Sequence, residues 1–302
     1  MKYSSKFRAI EKQRRRRYEL SLLLLLVLII TSVLAYEEYV QDASRPKEPD
    51  AVRCHVIDVG FGSSMLIESP KATVLIDTGP YSLHGKTAGY LQKADVRQID
   101  LLILTNTSGE HIGDFASIAQ RFPIGKVWVS DFCRHPSARQ SEDESTFEDT
   151  IGSLSIPVQS PAVGNYQLED MRLCVLSPDK KAEKEQDNSL VVRIECGSFS
   201  CLCTGDATTT TERKLLQSGQ ELRSDLLAAG CHGANTASSD AFLRAVKPDC
   251  TVISVGRDMK WFPGRACVER IRADGCMFLR TDLDGTIVVT CRNGKTTYTT
   301  SK

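Results

Sequence analysis

An uncharged apolar strand that runs directly into a polar loop is the feature that most constrains the fold of this chain. The segment Leu101 to Leu104 is apolar at every position, which is typical of a strand buried on both faces of a sheet. The loop that follows ends in Glu110, His111, Ile112, Gly113 and Asp114. A strand covered on both faces needs a layer on each side. The pattern therefore predicts a layered fold that presents polar side chains where the strand ends.

Predicted strands and helices alternate along both halves of the chain from residue 52 onward. This alternation predicts an α/β (α+β) fold, an αββα sandwich of two mixed β-sheets flanked by helices, over residues 52–302. A helix is predicted over residues 112–120. The polar residues 134–150 predict a solvated loop.

The N-terminal residues differ sharply from this domain. Residues 1–19 predict a basic cytoplasmic tail, residues 20–36 a transmembrane signal anchor, and residues 37–51 a polar linker. The uncharged run within the anchor has 16 residues, slightly fewer than the roughly 20 needed to cross a bilayer. The positive charges favour a single-pass protein of the cell membrane with a cytoplasmic N-terminus and an extracytoplasmic domain. A cleaved signal peptide, with a weak cleavage site at residues 33–35, and a buried helix are the alternatives.

Net charge separates the two parts of the chain. Residues 1–36 contain 8 basic and 2 acidic residues, which leaves 30 basic and 36 acidic residues in the rest of a chain with no net formal charge. The remainder therefore carries a net charge near −6. Nucleic-acid affinity depends mainly on positive charge, so nucleic acid is disfavoured as a partner of the acidic domain.

The chain has 11 cysteines. An exported domain invites disulfides, but the count is odd and no compact framework spacing is present. Several of the cysteines fall in predicted strands, where a free thiol acts as a small apolar residue. Two interpretations remain open: that most of the cysteines are free, or that at least one disulfide is present.

Four short polar segments follow predicted strands and contain the groups that a metal site needs. A lone Thr-Gly-Asp is typical of a turn, and a lone loop histidine is usually just hydrogen-bonded, so each segment alone is a weak signal. Their order and spacing together favour one site. The segments are Asp58-Val59-Gly60-Phe61-Gly62-Ser63, residues 106–111, Thr204-Gly205-Asp206 and Gly230-Cys231-His232-Gly233.

This combination resembles the β-lactamase-like domain of ComEC-type competence proteins, in the metallo-β-lactamase superfamily. Further matching segments make the resemblance cover residues 52–291. It implies the αββα fold and a metal site that activates water to hydrolyse a phosphodiester or related ester. The further segments are Leu75-Ile76-Asp77-Thr78-Gly79, Asn188-Ser189-Leu190-Val191 and Arg280-Thr281-Asp282-Leu283-Asp284-Gly285.

The chain departs from the family pattern at the ligands. Asn106 and Ser108 stand where two histidines usually build one metal position, and amide and hydroxyl groups hold zinc far less well than imidazole does. Glu110 replaces an Asp that helps hold the second metal and the nucleophile. Ser63 replaces the Asp of the glycine loop, and Cys231 with His232 replaces a pair of histidines.

Five candidate metal ligands survive, and two of them, Glu110 and Asp206, are the candidate catalytic residues. A thiolate binds zinc well, so Cys231 is a candidate replacement for a lost ligand. These residues predict a site for one Zn or Mn ion, or a pocket without metal in which the polar groups bond one another. The five are Glu110, His111, Asp206, His232 and Cys231.

Two functions follow from these observations. The first is a membrane-anchored binding module with little or no hydrolase activity. The second is a hydrolase, phosphodiesterase-like by resemblance, that uses a single metal. One anchor helix cannot form a pore, so any role in DNA uptake requires a membrane protein as partner.

Overall fold

The computed structural model describes Ser21 and residues 51–134, 140–257 and 259–302. All of the elements given below belong to the unit Lys47–Lys302. The first eight strands are β1 Ala51–Val56, β2 Met65–Glu68, β3 Thr73–Ile76, β4 Leu101–Leu104, β5 Val127–Val129, β6 Val158–Gln159, β7 Gly164–Leu168 and β8 Met171–Ser177. The remaining strands are β9 Val191–Cys196, β10 Phe199–Cys203, β11 Leu226–Ala228, β12 Cys250–Ile253, β13 Met277–Arg280, β14 Ile287–Arg292 and β15 Lys295–Thr300.

The strands form two mixed sheets. The eight-stranded sheet has the order β15-β14-β1-β2-β3-β4-β5-β6, and the seven-stranded sheet has the order β13-β12-β11-β10-β9-β8-β7. Strands β3 to β6 are parallel to one another, and so are β10 to β13. The other neighbouring pairs are antiparallel. The carboxyl ends of the parallel strands in each sheet therefore meet at one edge of that sheet.

Helices cover the outer faces of the sheets. Apolar side chains alternate along β4: Leu101 and Ile103 join the core between the sheets, while Leu102 and Leu104 join the core beneath the helices. This explains why the strand is apolar throughout, and it confirms the predicted αββα sandwich. The helices are α1 Lys86–Lys93, α2 Gly109–Ile112, α3 Phe115–Ala119, α4 Glu142–Leu154, α5 Thr209–Ser218, α6 Asp240–Val246, α7 Arg265–Asp274 and α8 Thr281–Asp284.

The loop predicted over residues 134–150 was wrong over much of its length, because α4 occupies residues 142–154. Ser141 and Glu144 form a capping box at its start, and the acidic first turn complements the helix dipole. Phe147 is fully buried against Phe115, and the partly buried Ile151 packs against the same core, so these apolar side chains attach a largely polar helix. The Ser-x-x-Glu signature was present in the sequence, but the acidic run obscured it.

The single helix predicted over residues 112–120 is two short helices, α2 and α3. The break falls at Gly113, where a side chain would collide with the backbone nitrogen of Tyr81. Strands β6, β7 and β15 were missed, because each is short or largely polar.

The predicted membrane anchor, residues 20–36, lies outside the described residues except for Ser21. Among the helices that the structure describes, none combines the length and apolar character needed to span a bilayer. The eleven cysteines are free thiols; nine are buried, and Cys231 and Cys276 are partly exposed. Most of them serve as small apolar core residues, as in β10.

Candidate metal centre

The candidate metal centre lies where strands of both sheets end. His111 follows β4 of the first sheet, whereas Asp206 and His232 follow β10 and β11 of the second. Together with Glu110 they form a group in which each residue offers one ligand atom, and these atoms lie within 4.8 Å of one another. The structure thus brings together four of the five predicted ligands.

Asp206 lies between the two histidines. Its Oδ2 atom is 3.2 Å from Nε2 of His111, and its Oδ1 atom is 3.8 Å from Nε2 of His232. The two imidazole rings are 5.4 Å apart. All three side chains are buried, while Glu110 is partly exposed. The centre is therefore closed on the histidine side and open at Glu110.

A buried carboxylate orients His111. Nδ1 of His111 donates to Oδ2 of Asp77 at 2.8 Å, and Asp77 is itself held by the backbone N–H and the hydroxyl of Thr105. This fixes the tautomer of His111 and directs Nε2 toward Asp206. A carboxylate–histidine pair of this kind commonly supports a metal ligand.

A backbone carbonyl orients His232. Nδ1 of His232 donates to the carbonyl of Ser254 at 2.9 Å, which leaves the Nε2 lone pair facing Asp206. The hydroxyl of Thr281 accepts from the N–H of Val255 at 2.8 Å and donates to its carbonyl. Thr281 thus braces the segment that holds His232. His232 itself has a left-handed backbone conformation, with φ at 50°.

The unsatisfied atoms of the centre fit a metal ion. Within the described residues, three buried atoms of the group lack a hydrogen-bond partner: Nε2 of His111, Oδ1 of Asp206 and Nε2 of His232. Leaving such atoms unpaired costs roughly 1–3 kcal/mol each. A cavity of about 30 Å³ borders both histidines, which is enough space for a single water-sized species. Two imidazoles with carboxylates form a donor set suited to Zn or Mn.

The charge states of Asp206 and His232 suit metal binding. Burial alone would raise the pKa of Asp206, but the neighbouring His111 and His232 and the amide of Asn106 outweigh it and lower the pKa to about 2. Burial and the nearby charge of His111 lower the pKa of His232. At neutral pH these residues are a carboxylate and a neutral imidazole, the forms that coordinate metals.

His111 behaves differently from His232. Burial disfavours its charged form, but the carboxylates of Asp206 and Asp77 outweigh burial and raise the pKa of His111 well above its usual range. A positive charge at the position of His111 is therefore favoured by its surroundings. The proton on Nε2 and a metal ion are alternative carriers of that charge.

Asn106 and Ser108 line the other side of the centre. Nδ2 of Asn106 donates to Oδ2 of Asp206 at 3.0 Å and to the hydroxyl of Ser189 at 3.2 Å. Ser108 is exposed, but both its backbone N–H and its hydroxyl donate to Oδ1 of Asn106. These two residues bond to their neighbours instead of presenting free lone pairs.

Cys231 lies outside the four-residue group found among the described residues. Its backbone N–H donates to the carbonyl of Gly205 at 2.9 Å, and its backbone is left-handed. Burial raises the pKa of its thiol to about 12, with Asp206 and Glu110 adding to the shift. Among the described residues, the group therefore takes its ligand at this turn from His232.

The glycine loop packs behind Glu110. Ser63 donates its backbone N–H to the carbonyl of Glu110 at 3.1 Å, and a Cβ atom on Gly62 would come within 2.7 Å of that same oxygen. Gly60 has a left-handed backbone that favours glycine. Asp58 is directed elsewhere: its carboxylate pairs with Lys302 at 3.1 Å. The loop therefore supports the backbone of the site without supplying a ligand.

Sequence reasoning missed the residues that orient the ligands. Asp77 belongs to a motif quoted above but was not assigned to the site, and the same is true of Ser189 and Thr281. Their motifs were the available signal, because the order of the motifs predicts which segments meet. A motif does not reveal which of its side chains points inward.

Two contrasting surfaces border the centre. On the His232 side, Phe61 lies 4.6 Å from the His232 ring and 5.3 Å from Phe262, which forms an apolar wall. On the Glu110 side is a cleft of about 580 Å³, lined by residues 106–110, 140–141, 143–144, 185–186 and 188 among others. Its described lining contains the carboxylates of Glu110, Asp143, Glu144, Glu185 and Asp206, and no lysine or arginine.

A family model described as the metallo-beta-lactamase superfamily matches residues 57–257, which include every segment that builds this centre. The chain belongs to the metallo-beta-lactamase superfamily. Within this superfamily its curated relatives are of the ComEC type, as the motif order implied.

The chain is 26% identical to ComE operon protein 3 of Bacillus subtilis over 265 residues, which is 80% of this chain and 33% of that protein. It is 30% identical to competence protein ComA of Neisseria gonorrhoeae over 236 residues, 77% of this chain and 31% of that protein. The chain therefore spans about a third of the length of these curated relatives.

Solved structures show the same metallo-beta-lactamase fold. The YhfI protein of Bacillus subtilis matches with a TM-score of 0.53 and 12% identity, covering 82% of this chain and 99% of YhfI. Tm1679, described as a metal-dependent hydrolase of the beta-lactamase superfamily, matches with a TM-score of 0.54 and 11% identity. That match covers 83% of this chain and all of Tm1679.

Proposed function

We propose that this ComEC-related domain binds one divalent metal ion, Zn or Mn, and is a single-metal hydrolase with weak activity. The observation that carries the proposal is the convergence of three buried atoms that have no hydrogen-bond partner among the described residues, on His111, Asp206 and His232, beside the carboxylate of Glu110. When bound, such an ion supplies Lewis acidity, which activates water for hydrolysis.

The residues of the site have different proposed roles. His111, Asp206 and His232 would hold the ion from the buried side, where Asp77 and the Ser254 carbonyl keep the two imidazoles oriented. Glu110 faces the cleft and is placed to hold the ion and to accept a proton from the attacking water. The wall of Phe61 and Phe262 keeps bulk water from the His232 side.

By likeness to the family, the proposed substrate class is a phosphodiester. The negative charge of the cleft favours a low rate of turnover. Five carboxylates line its described surface. A phosphodiester is anionic, so its approach to this surface costs electrostatic free energy. One ion also neutralises less charge than the two ions of a complete centre do.

Anchoring in the membrane is part of the proposal. The uncharged run within residues 20–36 follows a basic tail, a pattern that favours a cytoplasmic N-terminus and an extracytoplasmic domain. A membrane protein is the proposed partner for any role in transport. The alternative is a binding module without catalysis, which the loss of histidine at Asn106 and Ser108 favours.

The test is the metal content of the full chain purified in detergent, measured by elemental analysis after equilibration with zinc and with manganese. We expect about one ion per chain, slow hydrolysis of bis(p-nitrophenyl) phosphate, and loss of both in Asp206→Ala/His232→Ala. His84→Ala is the matched control, because His84 is half exposed and pairs with Asp114 outside the centre. A folded protein without metal would contradict the proposal and favour the alternative, a binding module without catalysis.

A further inference from the structure

We propose that Asn106 and Ser108 form one unit that replaces the first metal ion of the family's centre with an amide hydrogen-bond donor. This inference rests on the proposed function, in which the centre holds one ion. It adds a physical cause for a centre with one ion instead of two. The two side chains do more than lack imidazole groups, because they place a hydrogen-bond donor on the side of the second ion.

Hydrogen bonds fix the orientation of the Asn106 amide. The backbone N–H of Ser108, 2.9 Å from Oδ1 of Asn106, can only donate a hydrogen bond. The atom facing it must therefore be the oxygen, and the Ser108 hydroxyl donates to that oxygen as well. The amide nitrogen must then point the other way, toward Asp206.

The amide nitrogen has two hydrogens, and both find acceptors. One is donated to Oδ2 of Asp206 at 3.0 Å and the other to the hydroxyl of Ser189 at 3.2 Å. Ser189 in turn accepts from the backbone N–H of Asp206 at 3.2 Å. Asn106 is 6% exposed, so the network is shielded from water. The polar groups on this side are satisfied without a metal.

The two oxygens of Asp206 therefore have different roles. Oδ2, which also lies 3.2 Å from Nε2 of His111, accepts from the Asn106 amide at 3.0 Å, so a cation approaching from that side would meet amide hydrogens. Oδ1 has no hydrogen-bond partner within the described residues and faces His232. The unit thus excludes an ion from the Asn106 side and leaves one oxygen of Asp206 for the ion on the His232 side.

The test changes the unit and counts ions by elemental analysis of the full chain at saturating manganese or zinc. Asn106→His/Ser108→His removes the amide donor and supplies two imidazoles, so we expect the content to rise from about one ion to about two. Asn106→Asp keeps the shape but places a carboxylate against Asp206, and the same rise is expected. Asn165→Asp adds the same charge on the exposed face of β7, and its content should remain at one.

Asn106→Ala tests the positioning role. It removes the donor without adding a ligand, so the content should remain at one ion while its affinity falls about tenfold, because Oδ2 of Asp206 is no longer fixed. Circular dichroism and thermal unfolding establish that each variant is folded.

The outcomes separate this inference from the proposed function. One ion in the wild type, in Asn106→His/Ser108→His and in Asn106→Asp would overturn the inference. It would still support the proposed single-metal site. Two ions in the wild type would overturn the inference but still support a metal centre. No ion in the wild type would overturn both proposals.

Discussion

The two sides of the metal centre differ in how their polar atoms are satisfied. On the histidine side, the Nδ1 atoms of His111 and His232 are hydrogen-bonded, and their Nε2 atoms have no hydrogen-bond partner in the part of the chain that the structure describes. On the other side, Ser108 donates to the amide oxygen of Asn106, and the amide nitrogen of Asn106 donates to Asp206. From residue identity we predicted that part of the ligand set has been replaced. The contrast in hydrogen bonding between the two sides supports the proposed single-metal site on the histidine side.

The largest expected effect comes from the residue that both sides share. Asp206→Ala removes the oxygen facing His232 and the acceptor of the Asn106 amide. We expect metal affinity to fall by more than the roughly 10–100-fold that follows loss of an outer partner. Competition with a chromogenic zinc chelator measures this. Asp240→Ala, at an exposed position in α6, should leave affinity unchanged, and equal affinity in both variants would exclude Asp206 as a ligand.

A second variant acts on the histidine side alone. Asp77→Asn replaces the carboxylate that holds Nδ1 of His111 with an amide, which destabilises the required tautomer and its orientation. We expect zinc affinity to fall about 10–100-fold while the stoichiometry stays at one. The same chelator competition applies. Unchanged affinity would show that Asp77 serves folding only.

A third variant loosens His232 indirectly. Thr281→Val keeps the side-chain shape but removes the hydroxyl that bonds both the N–H and the carbonyl of Val255. We expect the free energy of unfolding in urea to fall by about 1–3 kcal/mol, since a buried N–H loses its partner. Zinc affinity should fall less than in Asp77→Asn, because the Ser254 carbonyl is displaced rather than lost. A larger loss of affinity than in Asp77→Asn would reverse this ranking.

The smallest effect is expected in the glycine loop, and it depends on pH. Burial alone would raise the pKa of Asp58, but the Gly60 N–H and the ammonium groups of Lys302 and Lys86 outweigh burial and lower the pKa. A carboxylate with a lowered folded pKa adds stability above its unfolded pKa of about 4, and this stability is lost as pH falls through the folded pKa. The pairs are partly exposed, so the contribution is under about 1 kcal/mol.

Asp58→Asn should therefore lower the free energy of unfolding slightly at neutral pH. The difference from the wild type should disappear in acid, below the folded pKa of Asp58. Urea unfolding across the pH range measures this. Zinc affinity should not change, and a loss comparable to that of Asp77→Asn would place Asp58 in the metal centre.

The fold could be predicted from the sequence because the information is local and repeated. Apolar strands such as Leu101–Leu104 end in polar segments, and the order of those segments identified the family. His111, Asp206 and His232 could be named because each stands in its motif. Helix α4 was missed although Ser141 and Glu144 carry a capping signature, since the surrounding acidic residues suggested a loop.

The rest of the site depends on geometry that a sequence does not state. Cys231 and His232 are neighbours with left-handed backbones, and only the path of the turn decides which side chain joins Asp206. Likewise, Asn106 shows that a histidine is missing, but not that Ser108 turns its amide toward Asp206. These details depend on contacts between segments separated by as many as 100 residues in the chain.

The placement of the ligands across both sheets couples metal supply to folding. His111 follows a strand of one sheet, and Asp206 and His232 follow strands of the other, so unfolding of either layer destroys the site. Binding of the proposed ion and folding of the domain would then be linked equilibria. Free ion at a hundred times its dissociation constant would add about 2.7 kcal/mol to stability. Under the proposed function, removal of the ion would therefore lower the free energy of unfolding of the whole domain, in both sheets at once.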